Sequence, residues 1–269
     1  MTRATSAGKT SANAGSRAGS GASTTYLKQS ERPWASLLFV LPLVILYELG
    51  TQRFAIDPIH QTEQRIIAFN LMQQFFGWFG ASGRYLPALA VVGILLAWHI
   101  ARNDPWRVRG WTLAGMAVES CALGVPLMAV WFLSARYLPL LSPFFHQTDP
   151  VAAMATDAQT HRLLVLSLGA GVYEELVFRL IAFTLLTLVL VDLLKLPKVW
   201  CCLPIVFISA LVFALYHYWG SEAFEWRSFA FRTFAGIYFG LIFLTRGFGI
   251  TAGAHAAYDV IVHLYAALR

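Results

Sequence analysis

Charged side chains are scarce in this sequence. Asp, Glu, Lys and Arg make up 13% of its 269 residues, whereas apolar residues make up 58%, a balance outside that of soluble globular domains. The apolar residues form blocks of about twenty, the length that a helix needs to cross a hydrocarbon core ~30 Å thick. Alternation of period two over barrel-strand lengths is absent. We therefore predict an all-α fold, a polytopic transmembrane bundle of about seven to eight membrane helices.

Cysteines are few as well. Cys121, Cys201 and Cys202 all lie in apolar runs, and no pair has the CxxC spacing of zinc and redox sites. The HExxH helix motif of many zinc proteases is also absent. The net charge of +6 comes from a basic tail and short loops, with no basic patch among aromatic residues. We therefore expect the lipid bilayer as a partner, and no nucleic acid.

The first part of the chain differs in composition from the rest. Residues 1–33 are rich in Ser, Thr, Gly and Ala and carry five basic residues against one acid, which predicts a disordered basic tail. The tail has no apolar core of the kind that a signal peptide needs, so we expect the first membrane helix to be retained. Residues 34–269 are expected to form a single integral membrane domain.

Seven segments are apolar and long enough to be candidate membrane spans. The segment 66–80 is shorter and more polar, which favours an amphipathic helix at the membrane interface. The loop at 135–150, rich in proline and aromatic residues, is a candidate gate. The candidate spans are 34–50, 85–101, 111–134, 162–194, 199–217, 230–246 and 248–267.

The short loops indicate an orientation. If the N-terminus is cytoplasmic, the basic residues of three loops fall on the cytoplasmic side, as the positive-inside rule requires, and we expect the cell membrane as the location. This count treats 162–194 as one tilted helix, although the segment is long enough for two short ones. If this segment forms two helices, every later loop lies on the opposite side of the membrane. The basic residues concerned are Arg102, Arg107, Arg109, Lys195, Lys198 and Arg246.

Three ionisable residues interrupt the segment 162–194. Each such group costs ~2.5–3.5 kcal/mol at the bilayer centre on insertion scales, so something must compensate for Glu174, Glu175 and Arg179. Glu175 and Arg179 are four residues apart and can pair on one helix face, whereas Glu174 is rotated by ~100°. The pattern predicts one structural ion pair and one carboxylate available as a general base. A buried salt bridge that merely joins two helices is the alternative.

Two later helices carry histidines. His217 follows Phe213 by one turn, and His255 and Asp259 are four residues apart on one face. Taken singly, His217 is explained as an imidazole ring at the membrane interface. His255 and Asp259 are explained as a pair that bind each other and need no further partner. Taken together with Glu174, they predict a shared site, because intramembrane ionisable groups usually face each other or a watery cavity. Counted from the cytoplasmic side, His255 lies ~10 Å deep and His217 ~27 Å deep, so a shared site requires a tilted or broken helix.

Other ionisable residues have simpler interpretations. Glu48 lies near a helix end, from which it can reach the interface, and His263 is interpreted as a packed or terminal histidine. Glu119 lies deeper, and the sequence indicates no partner for it. The remaining histidines lie in loops or at helix ends, where solvated roles are favoured, namely His60, His99, His146 and His161.

The three motifs Glu174-Glu175-x-x-x-Arg179, Phe213-x-x-x-His217 and His255-x-x-x-Asp259, in this order, resemble those of the CPBP family of CAAX proteases and bacteriocin-processing proteins, also called Abi proteins. The resemblance covers about residues 160–267. It implies a helical intramembrane protease in which Glu174 activates water. His217 and His255 then position the water or stabilise the oxyanion.

The resemblance also implies roles for the other motif residues. Glu175 and Arg179 support the catalytic residues, Phe213 is expected to bind substrate, and Asp259 stands where the family often has Asn. Family members have been described both as metalloproteases and as glutamate proteases. We expect a metal-free site. If zinc is present, its ligands are expected to be Glu174, His217 and His255.

The predicted function is therefore hydrolysis of a peptide bond in a membrane-associated or lipidated peptide or protein. The alternatives are a non-catalytic immunity or scaffold protein with the same fold and, less favoured, a proton-coupled transporter, although no internal repeat supports transport. A serine protease is disfavoured because the Gly-Ala-Ser-Gly at 80–83 lies between segments. An aspartyl protease needs a second membrane Asp, and Asp192 lies near a helix end.

Overall fold

The computed structural model describes residues 26–56, 63–137, 157–220 and 222–268. Most of the predicted tail, part of the candidate gate, and His60 and His146 lie outside these ranges. Apart from an isolated antiparallel bridge between Ile56 and Glu63, the regular structure in the described part of the chain is helical, which confirms the all-α fold.

The helices occur where the apolar blocks predict them. Residues 26–30 form a short helical turn, and the predicted interfacial segment 66–80 forms a separate short helix. A 3₁₀ turn, His217–Trp219, continues the sixth helix. The helices are α1 (Pro33–Phe54), α2 (Ile67–Trp78), α3 (Leu86–Arg102), α4 (Gly110–Tyr137), α5 (Asp157–Leu193), α6 (Lys198–Tyr216) and α7 (Trp226–Ala267).

Five of these helices, namely α1, α4, α5, α6 and α7, are long and apolar enough to cross a membrane, and α3 is a shorter apolar helix. The structure settles the question left open at 162–194, because α5 is a single helix of 37 residues. Helix α7 has 42 residues and contains two of the predicted spans. The polytopic helical bundle is therefore confirmed.

Helix α7 folds back on itself at Gly247. Phe231 and Tyr258 have ring centroids 6.1 Å apart, and the rings of Phe239 and His255 stack at 4.6 Å. Side chains 27 and 16 residues apart along the chain can meet in this way only if residues 226–246 and 248–267 run antiparallel. Gly247 makes the turn with φ 77° and ψ −179°, a region that essentially only glycine occupies.

We expect Gly247→Ala to destabilise the protein by about 1–3 kcal/mol, the usual cost of such a backbone conformation for other residues. A Cβ at this position meets Glu31 at 3.6 Å, an ordinary contact distance, so the cost is conformational rather than steric. The measurement is the free energy of unfolding in mixed micelles. Gly93→Ala is the matched control, because a Cβ at helical Gly93 meets nothing within 4 Å. Equal stability of the two variants would contradict the backbone conformation assigned to Gly247.

The structure supplies the partner of Glu119 that the sequence does not indicate. Arg246, the residue before the turn, binds both carboxylate oxygens of Glu119 through Nε at 2.5 Å and Nη2 at 2.9 Å. Tyr26 donates a hydrogen bond to Glu119 Oε2 at 2.5 Å, and Glu31 Oε1 lies 3.1 Å from Arg246 Nη1. Burial and the hydrogen bond to Glu119 raise the pKa of the Tyr26 phenol to about 12. Residues 26–31, within the predicted tail, are thus tied to α4 and α7.

Glu48 is buried rather than directed to the interface. Its Oε2 forms a 2.9 Å ion pair with Arg65 Nη1, and its Oε1 accepts a 3.1 Å hydrogen bond from Tyr173. The guanidinium of Arg65 also lies 4.2 Å from the ring centroid of Phe69. This cluster joins α1, the segment before α2, and α5 one residue before Glu174.

Two histidines outside the motifs are packed. His263 Nδ1 lies 2.9 Å from Ser167 Oγ, in agreement with a packed residue. His99 does end a helix, but it is buried with its ring against Trp34 and Trp106. Its predicted solvated role is therefore wrong, because the indole rings of Trp34, in the first turn of α1, and of Trp106, in the segment after α3, cover it.

Candidate active site

The helix that carries the first motif is wound more loosely than an α-helix. Within α5, Ala170–Glu174 and Leu176–Ile181 are π-helical, a geometry found frequently at functional sites. Ser209 of α6 donates a 2.5 Å hydrogen bond to the carbonyl oxygen of Phe178. This contact fixes α6 beside the π-helical segment.

Gly171 allows α5 to approach the second half of α7 closely. A Cβ at this position would lie 2.6 Å from the carbonyl oxygen of Ala252 and 2.7 Å from the backbone nitrogen of Ala256. Only glycine therefore fits between these helices without displacing backbone. The close approach brings Glu174 and Glu175 within reach of His255.

Glu175 and Arg179 form the predicted ion pair, with Arg179 Nε 3.1 Å from Glu175 Oε2 and both side chains fully buried. Arg179 Nη2 donates a 3.2 Å hydrogen bond to the carbonyl oxygen of Gly236. The other carboxylate oxygen of Glu175 lies 2.7 Å from His255 Nδ1. The pair thus connects α5 to both halves of α7 and holds one face of the His255 ring.

Glu174 presents its two carboxylate oxygens to different partners. Oε1 accepts a hydrogen bond from the hydroxyl of Tyr216. Oε2 lies 3.8 Å from His255 Nε2 and 4.0 Å from His217 Nε2. The side chain is buried, with 5% of the residue exposed. One oxygen is therefore fixed by the phenol, and the other faces both motif histidines.

His217 is oriented by the backbone of its own helix. Its Nδ1 lies 2.8 Å from the carbonyl oxygen of Phe213, which can only accept a hydrogen bond, so Nδ1 carries a proton. In neutral His217, Nε2 is then the unprotonated nitrogen that faces Glu174. The Phe213 ring is buried between Arg179, at 4.6 Å from the guanidinium carbon, and His217, at 5.0 Å between centroids.

Three carboxylates surround the imidazole of His255. Besides Glu175 and Glu174, Asp259 contributes Oδ2 at 3.6 Å from His255 Nε2. The ring of Phe239 stacks on His255 with an interplanar angle of 14°. The structure therefore brings all seven predicted site residues together, from three separate helices.

Two contributors to this site were not predicted. Tyr216 immediately precedes His217, but a tyrosine at a helix end has many simpler explanations, and only the fold shows that its hydroxyl reaches Glu174. Phe239 lies in an apolar run with no distinguishing pattern. Its contact with His255 depends on the reversal at Gly247.

We expect Tyr216→Phe to lower kcat for the reaction of this site by about tenfold, the loss typical of one hydrogen bond to a charged group. KM and the unfolding midpoint should stay close to wild type, because the ring and its packing remain. Tyr218→Phe is the matched control, since the Tyr218 hydroxyl donates to the backbone of Glu225 instead. An unchanged kcat for Tyr216→Phe would show that the phenol does not orient Glu174.

The zinc alternative can be compared with the donor geometry. Among the described residues, no group of three or more His, Cys, Asp or Glu side chains is arranged to hold a metal ion. His255 Nδ1 is bound to Glu175, and the Nε2 atoms of His255 and His217 both face Glu174. The metal-free site therefore remains a prediction.

Fold and site together define an all-α integral membrane protein with a buried cluster of carboxylates and histidines. Residues 157–261 match the family model described as Rce1-like, type II CAAX prenyl endopeptidase Rce1-like. No curated protein and no solved structure matches the chain. The resemblance to CAAX proteases is therefore confirmed for this part of the chain, which contains all three motifs.

Proposed function

We propose that this protein is an intramembrane endopeptidase of the CAAX-protease type in which Glu174 activates water. The observation that carries the proposal is the position of Glu174 Oε2, at 3.8 and 4.0 Å from the Nε2 atoms of two histidines. These separations exceed a hydrogen bond. They suit groups that share one bridging water.

The two acceptors prepare the water for attack. Glu174 Oε2 and the unprotonated Nε2 of His217 each accept one of its hydrogens, so an oxygen lone pair points to the substrate carbonyl. Attack transfers one proton to Glu174 and forms the tetrahedral intermediate. Protonated Glu174 then gives this proton to the leaving amine, and the peptide bond breaks.

His255 is assigned to the oxyanion. The three surrounding carboxylates stabilise an imidazolium electrostatically, and its Nε2–H then donates to the negative oxygen of the intermediate. Glu175 holds Nδ1, and Arg179 holds Glu175, so the donor is oriented before substrate binds. Asp259 contributes negative charge beside Nε2. No step in this scheme requires a metal ion.

The proposed substrates are peptides or membrane proteins. The description of the matched family names a CAAX prenyl endopeptidase, so prenylated C-terminal peptides are the first class to test. Wild type and Glu174→Ala, purified in detergent, are incubated with lipidated peptides and membrane proteins, and new termini are read by mass spectrometry. Cleavage by wild type alone supports the proposal and identifies the substrate. Equal cleavage by both variants contradicts it.

The metal question has a separate test. We expect purified wild-type protein to contain substoichiometric zinc and to keep its cleavage rate after treatment with a chelator. Elemental analysis of wild type, His217→Ala and His255→Ala measures this directly. One zinc per chain that is lost in both variants would contradict a metal-free site.

We also propose the cell membrane as the location, with the N-terminus cytoplasmic. The end of α3 lies beside the start of α1, where Trp34 contacts His99. Arg246 lies at that end as well, through its contact with Glu31. The end of α3 and Arg246 thus lie near the N-terminal end of α1, which supports this orientation under the positive-inside rule. Labelling of single cysteines in intact cells tests the orientation.

A further inference from the structure

Arg232 is a cation near the active site that the three motifs do not include. It lies in the first half of α7 and binds Glu222 through two hydrogen bonds, Nη1 to Oε1 at 2.7 Å and Nη2 to Oε2 at 2.9 Å. The ring centroid of Tyr218 lies 5.4 Å from its guanidinium carbon. Arg232 thus already holds a carboxylate in the two-point geometry that guanidinium groups favour.

The pair is accessible. The side chain of Arg232 is 21% exposed and that of Glu222 is 44% exposed. Glu222 belongs to the short segment between His217 and the start of α7. An ion pair with such an exposed carboxylate contributes little to stability, so another carboxylate can take the place of Glu222 at small cost.

The spacing along α7 relates Arg232 to the active site. Arg232 precedes Phe239, which stacks on His255, by seven residues. Seven residues are two helical turns, so the two side chains share a face and are ~10 Å apart along the axis. An extended peptide of about three residues covers this distance.

We propose that Arg232 binds the C-terminal carboxylate of the peptide that this site cleaves. The inference rests on the proposed protease function and assigns the residue that recognises the free C-terminus of such a peptide. Glu222 occupies the guanidinium in the absence of substrate and is displaced when substrate binds. Binding at Arg232 places the scissile carbonyl beside Glu174 and His255.

The test compares one short farnesylated peptide as the free acid and as the C-terminal amide. Binding and cleavage are both measured with the full chain in lipid nanodiscs. Wild type should bind the acid roughly 10- to 100-fold more tightly than the amide, the range of one charged hydrogen-bonded contact. Arg232→Met should lose this preference and treat both peptides as wild type treats the amide. Glu222→Gln should tighten binding of the acid only, because the competing carboxylate is gone.

Arg102→Met is the matched control, since Arg102 is likewise an exposed arginine paired with a carboxylate, that of Asp104, and it ends α3. It should keep the wild-type preference for the acid. Equal binding of acid and amide by wild type, or equal loss of both in Arg232→Met, would overturn the proposal. Because binding is scored separately, preference for the acid without cleavage contradicts the protease function alone. Cleavage without preference contradicts the role of Arg232 alone.

Discussion

Glu174→Gln is expected to lower kcat for peptide cleavage by about 10²–10⁴-fold, the contribution usual for a general base. The amide has nearly the shape of the carboxylate and still accepts the Tyr216 hydrogen bond through its oxygen. It cannot take a proton from water. KM should therefore change little, and the folded structure should remain.

Asp192→Asn is the matched control for this variant. It makes the same chemical change in the same helix, at an exposed position in the last turn of α5. Its cleavage rate should equal that of wild type. Cleavage by folded Glu174→Gln at the wild-type rate would remove Glu174 from the mechanism.

Arg179→Met is expected to give the largest loss of stability, about 3–5 kcal/mol, because it leaves the buried carboxylate of Glu175 without its ion-pair partner. The result should lie toward the lower end, since His255 still contacts Glu175. The loss is measured as the change in free energy of unfolding in mixed micelles. Activity should fall as well, because Glu175 no longer has a fixed position beside His255.

The double variant Glu175→Gln with Arg179→Met distinguishes two causes of the stability loss in Arg179→Met. One is the uncompensated charge of Glu175, and the other is the lost packing of the arginine side chain. Removing both charges should recover a large part of the stability, because replacing a whole buried ion pair often costs little. If the stability loss of the double variant equals the sum of the losses of the two single variants, this explanation is contradicted. In that case the two side chains would act through packing alone.

The local part of the site was predictable from the sequence. Glu175 and Arg179 are one helical turn apart, so their pairing needs only the geometry of one helix. The same holds for His255 with Asp259 and for the backbone hydrogen bond of His217 within α6. The apolar blocks, including the division of α7 at Gly247, likewise follow from local composition.

Contacts between distant segments were not predictable in this way. Glu119 and Arg246 are 127 residues apart, and no periodicity in one helix indicates a partner in another. Tyr216 reaches Glu174 only because α5 and α6 pack at the level of the π-helical segment. The π-helical winding of α5 was likewise not predicted from the sequence.

The depths predicted for the two histidines illustrate the same limit. Counting residues from the cytoplasmic helix ends places His217 much deeper than His255, yet both Nε2 atoms lie within 4.0 Å of one oxygen of Glu174. The helix ends therefore do not lie in one plane. Tertiary packing decides that offset, and composition does not encode it.

The most direct test of the central proposal is a single-turnover cleavage assay in ¹⁸O-water, with chelator-treated wild type and Glu174→Gln in the same vesicles. The account predicts that metal-free wild type cleaves the prenylated peptide and places ¹⁸O in the new carboxylate, whereas Glu174→Gln releases almost no product. Equal rates for the two proteins would contradict it. So would wild-type activity that disappears with the metal and returns with zinc.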